Sequence, residues 1–90
     1  HLMDAMPVRM SQVLGGWAQQ VRQAGVHIES VLPALQQLAQ GGTAVGTGLN
    51  APKGFADAIA AEIAAESGLP FVAAPNKFAA LAGHEPLVIL

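Results

Sequence analysis

At 90 residues, with 52% apolar and 11% charged side chains, the chain suits one domain at most. It falls well short of the roughly 25% charge that coats an ordinary soluble domain, so partners are expected to cover much of it. The net charge of −2 comes from Arg9, Arg22, Lys53 and Lys77 set against Asp4, Glu29, Asp57, Glu62, Glu66 and Glu85. With no block of one sign, a nucleic-acid-binding face is excluded. No apolar run reaches the ~18 residues of a membrane span, and no basic-then-apolar leader opens the chain. With no cysteine there is no disulfide framework or thiolate metal site, which fits a reducing, cytoplasmic compartment.

The first forty residues carry the clearest period. Met6, Met10, Val13, Trp17, Val21, Ala24, Ile28, Val31, Leu35 and Leu38 recur at steps of three and four, the seam of a helix packed lengthwise on other helices. Asp4 reads as its N-cap and Pro7 as a first-turn residue, which predicts a helix over about 6–39. Gly15, Gly16 and Gly25 weaken that helix but allow close approach of another. Pro33 should kink it or force a restart, since proline removes a backbone donor and clashes with the preceding turn. Thirty-odd helical residues span on the order of 50 Å, too long for so short a globule to cover. A bundle formed with material outside the chain follows.

"GGTAVGTGLN" (Gly41 to Asn50) then reads as a loop within 40–52. It fails as a phosphate cradle, because no lysine and hydroxyl pair follows the last glycine. It also fails as a dinucleotide fingerprint, because it follows a helix rather than a strand. A helix–loop–helix connection with glycines at positive φ remains. A second helix is predicted over about 54–67, with Phe55, Ile59 and Ile63 on one face and Gly68 then Pro70 as stop signals. "LPFVAAP" reads as an extended connection. Short helices follow over about 76–82, capped by Asn76, and over about 85–90. His1, His27 and His84 have no partner at metal-ligand spacing, so no metal site is predicted. His27 reads as a solvated or groove-lining helix residue, His84 as a helix-junction residue, and Trp17 as part of the seam.

Three segments, "HLMDAMP" (His1 to Pro7), "LAQGGTAVGTGLNAPKGF" (Leu38 to Phe55) and "GLPFVAAPNKFAALAGHEPLV" (Gly68 to Val88), resemble in order and spacing the middle of class II fumarases of the fumarase/aspartase superfamily. The Gly-Thr segment is shared with aspartases, whereas "LPFVAAPNKF" followed by "LAGHEPLV" is similar to fumarases specifically. Ala79 stands where the family usually has Glu, and Glu85-Pro86 where it often has an acidic residue and Ala.

The resemblance implies an all-α fold: part of a long-helix bundle, with a long kinked helix, the Gly-Thr loop, a second helix and short helices. The 90 residues would then be an internal piece of the central helical domain of a homotetrameric lyase. It implies reversible hydration of fumarate to L-malate without metal or organic cofactor, and no nucleic-acid or membrane partner. His1 matches the histidine of the family's Thr-His motif and is the catalytic candidate, contacting substrate or its activated water. Thr43, Thr47 and Asn50 are the substrate-binding candidates of the loop. In this family several regions from different subunits build each site, so the chain alone is expected to be inactive. The alternatives are a non-catalytic helical assembly module and an aspartase-like ammonia lyase, the latter disfavoured by "APNKF".

Overall fold

The computed structural model describes residues 2–90. The chain divides into two compact units, His1–Ser30 and Val31–Leu90. It is mostly helical, with four helices and one minimal parallel ladder among the described residues.

The first unit holds a lead-in without regular structure and most of α1 (Met10–Leu35). The helix starts at Met10 rather than near Met6, and Asp4 is not its cap. Instead the backbone N–H of Arg9 donates to Oε1 of Gln12 at 2.9 Å, and the Arg9 carbonyl accepts the first helical bonds from Gln12 and Val13. A glutamine reaching back to the N-cap donor is one half of a capping box, and it sets the start where the local hydrogen bonds close. Within this unit much of the apolar seam is exposed: Met10, Trp17 and Val21 are 70%, 60% and 73% exposed.

In the second unit α1 runs past Pro33 without restarting and ends at Leu35, short of the expected residue 39. Pro33 stands so near the end that it deletes a single helical bond, the one to the Glu29 carbonyl. Beyond Gln36 the chain exchanges helical bonds for extended ones. β1 (Gln37–Leu38) pairs in parallel with β2 (Val72–Ala73), in the register Gln37 to Val72 and Leu38 to Ala73. The ladder is bonded by Val72 N–H to the Gln36 carbonyl at 3.0 Å and Ala74 N–H to the Leu38 carbonyl at 2.9 Å. The "LPFVAAP" connection is thus a strand partner as well as an extended link.

α2 (Phe55–Ser67) packs against β2 and ends at Gly68, whose N–H reaches the Ala64 carbonyl at 3.0 Å. Its first residue is Phe55, with Gly54 at the N-cap. α3 (Lys77–Ala82) starts one residue later than predicted because Asn76 is the cap itself: its Oδ1 accepts the Ala79 N–H at 3.0 Å. α4 (Glu85–Ile89) follows with Pro86 in its first turn. The core of this unit is Val31 at the end of α1, Ala60 in the middle of α2 and Ala74 just after β2, at 7%, 2% and 3% exposure. Two of those three are alanines, and no large side chain is fully buried. The hydrophobic stabilisation available inside this unit is therefore small, since it scales with apolar area removed from water. No helix among the described residues is long and apolar enough to cross a membrane.

Candidate functional site

The Gly-Thr loop occupies the span between β1 and α2, and its backbone folds around one carbonyl. The N–H groups of Gly46 and Gly48 both donate to the Gly42 carbonyl at 3.0 Å, while Gly42 N–H donates to the Ala39 carbonyl at 3.0 Å. Two glycines show why the composition is so biased. Gly41 has φ 93°, and a Cβ there would lie 2.5 Å from the Cβ of Ala56 in the first turn of α2. Gly46 has φ 103°, and a Cβ there would lie 2.7 Å from Cδ1 of the Phe78 ring on α3. Any side chain at either place meets both a left-handed backbone and a filled space. Gly42, buried between them, faces Lys77 and Leu81 of α3: an added Cβ would meet Lys77 Cβ at 3.1 Å and Leu81 Cδ1 at 3.2 Å. The ammonium of Lys77 in turn donates to the Ala74 carbonyl, tying the start of α3 to the end of β2.

The loop is therefore a fixed turn seated on α2 and α3, and its polar side chains face outward. Thr43, Thr47 and Asn50 are all exposed, with Thr43 and Asn50 at φ 57° and 71°. Among the described residues none of the three side chains forms a hydrogen bond. Two hydroxyls and one carboxamide can donate to a carboxylate and accept from a hydroxyl, but they hold no group that takes a proton near neutral pH. Such a loop can orient an acidic ligand; the proton transfer has to come from elsewhere. His1, the catalytic candidate, lies outside the described residues. Of the other two histidines, His27 is exposed on α1 and His84 forms the junction before α4.

A cleft of about 400 Å³ in the same unit is lined by Gln37, Asn76, His84 and Glu85, with Ala34 and Leu87 among its apolar walls. None of the loop residues Thr43, Thr47 and Asn50 lines it. Among the described residues no group of three or more His, Asp or Glu side chains could hold a metal ion. Of the residues that seat the loop, sequence reasoning did not single out Phe78 or Ala56, and it read Lys77 only as a solvated cap or an anion contact at the start of α3. The signal for Phe78 and Lys77 was their place in "PNKF", which says nothing of which glycine they oppose.

A helical chain carrying a fixed, hydroxyl-bearing loop and no metal-ligand cluster among its described residues finds its class in one comparison. A family model described as "Lyase" matches residues 1–90, and the chain belongs to that family. Within it the similarity is to fumarate hydratases of class II. Fumarate hydratase class II 1 of Pseudomonas aeruginosa is 76% identical over 90 residues, which is 100% of this chain and 19% of that protein. The mitochondrial fumarate hydratase of Mus musculus is 54% identical over 90 residues, again 100% of this chain and 18% of that protein. The crystal structure of recombinant class II fumarase from Schistosoma mansoni superposes with a TM-score of 0.88 at 38% identity, covering 99% of this chain and 22% of that one. The chain thus spans about a fifth of the length of the relatives it matches.

Proposed function

We propose that these 90 residues are part of the central helical domain of a class II fumarate hydratase, a lyase that reversibly hydrates fumarate to L-malate. The observation that carries this reading is the 76% identity to a class II fumarate hydratase across the whole chain. The 0.88 TM-score to a class II fumarase agrees with it at the level of the fold.

The reaction needs a base that takes the proton alpha to one carboxylate, donors for the doubly charged aci-carboxylate that results, and an acid or bound water at the leaving hydroxyl. His1 is assigned to the substrate or its activated water. Thr43, Thr47 and Asn50 are assigned to a substrate carboxylate, for which their neutral donors are suited. The active form is a cytoplasmic homotetramer, its subunits joined along the α1 seam. Two observations favour that assembly: a 26-residue helix whose seam is exposed at Met10, Trp17 and Val21, and a second unit with only three buried apolar residues. The 90-residue chain by itself is inactive, since it corresponds to 19% of the relatives' length and one acid/base group cannot complete the chemistry.

The test is a fumarate absorbance assay on the assembled enzyme in which this segment replaces the matching segment of a relative. Turnover within about tenfold of the parent is expected, and loss of turnover by an intact, folded tetramer would count against the assignment.

A further inference from the structure

The Gly-Thr loop has a feature that its own sequence does not explain: the residue that fixes its outer half belongs to α3. Thr47 stands between Gly46 and Gly48, whose N–H groups both donate to the Gly42 carbonyl at 3.0 Å. Gly46 rests on the Phe78 ring so closely that an added Cβ would meet Cδ1 at 2.7 Å and Cγ at 3.1 Å. Gly42, the acceptor of both bonds, is itself seated on Lys77 and Leu81 of the same helix. α3 thus supports both ends of the clamp that holds Thr47, and Phe78 is its member nearest Gly46. The ring is 57% exposed, so it is not a core residue of this unit.

From this geometry we propose that Phe78 is a positioning residue for substrate binding, acting through Gly46 to hold the Thr47 hydroxyl toward a carboxylate of the dicarboxylic acid. The inference rests on the assignment of Thr47 to substrate made above. A hydroxyl that binds a carboxylate equally in ground and transition states affects KM rather than kcat. Removing its support therefore raises KM and leaves kcat nearly unchanged, whereas a residue that only stabilises the fold lowers the active fraction, and so the apparent kcat, at constant KM.

The experiment uses the assembled enzyme with fumarate as the varied substrate. Thr47→Val is expected to raise KM about tenfold, the effect of one lost hydrogen bond to a charged group. Phe78→Ala is expected to raise KM by about 3- to 10-fold with kcat within about twofold, and Phe78→Tyr, which keeps the ring, to restore the parent KM. Amide exchange at Gly46 and Gly48 gives a readout independent of turnover, and both should exchange faster in Phe78→Ala than in the parent. If Thr47→Val raises KM while Phe78→Ala leaves both KM and the two amides unchanged, the positioning role is overturned and the substrate assignment stands. If Thr47→Val leaves KM unchanged, the assignment of Thr47 fails, and the role of Phe78 fails with it.

Discussion

Gly41 and Ala56 touch where the loop meets α2: a Cβ on Gly41 would lie 2.5 Å from the Ala56 Cβ and 2.9 Å from its Cα. The contact joins the start of the loop to the first turn of a helix, so neither side can withdraw without displacing backbone. Gly41→Ala combines that overlap with a φ of 93° that L side chains rarely adopt. A loss of about 2–4 kcal/mol is expected, from strain and overpacking together. Ala58→Ser, at an exposed position of α2, should cost under about 0.5 kcal/mol. Thermal unfolding of the two variants in the assembled enzyme checks this, and equal shifts would contradict a rigid loop.

Gly46→Val tests the other anchor. A β-branched residue at φ 103°, aimed into the Phe78 ring, is expected to cost more than Ala58→Ser and at least about 2 kcal/mol. If the ring is the main obstacle, combining it with Phe78→Ala should give less than the sum of the single effects, a coupling that a double-mutant cycle measures.

The cap of α3 supplies a prediction in both directions. Asn76 Oδ1 accepts the Ala79 N–H at 3.0 Å, so Asn76→Ala should cost about 1 kcal/mol, and Asn76→Asp, which keeps the acceptor, much less. Ala79 stands at the third helical position, where a glutamate side chain can reach back to the cap's own N–H and complete a capping box. Ala79→Glu is therefore expected to stabilise the protein by about 0.3–1.5 kcal/mol. Denaturant midpoints of the three variants provide the comparison.

The seam of α1 predicts a defect of assembly rather than of folding. Ile28 is 45% exposed and Val13 half-buried in the chain, so an aspartate at either place can stay solvated in a lone subunit. Inside a bundle the same carboxylate would be buried without a partner, at a cost of several kcal/mol in each subunit. Val13→Asp and Ile28→Asp should shift the sedimentation of the enzyme toward monomer or dimer. A tetramer of unchanged size would argue that the seam faces solvent.

Local chemistry accounts for what could be read in advance. The three-and-four spacing marks α1 because a helix places those residues on one face, and Asn76 and Gly68 mark ends because each supplies a bond the helix lacks. The positive φ of Gly46 was legible for the same reason: glycine-dense turns use that region. What escaped was set by a competing local bond at the start of α1 and, elsewhere, by partners distant in the chain. The start at Met10 depends on Gln12 reaching back to Arg9, a bond that competes with the more familiar Asp4 and Pro7 signals. The β1 and β2 ladder joins residues far apart in sequence, and two-residue strands have no periodicity to detect. Thr43, Thr47 and Asn50 could be named as candidates from residue type, but the seating of their loop on Ala56 and Phe78 is tertiary packing that no spacing encodes.

The most direct test of the account is the turnover of fumarate by the assembled enzyme carrying His1→Asn, followed by absorbance beside the parent and the isolated 90-residue chain. The account predicts a fall in kcat of about 10²–10⁴-fold for the variant, the contribution of one acid/base group, with the tetramer intact and no conversion by the isolated chain above the buffer rate. Parent-level turnover by the His1→Asn tetramer, or robust turnover by the isolated chain, would contradict it.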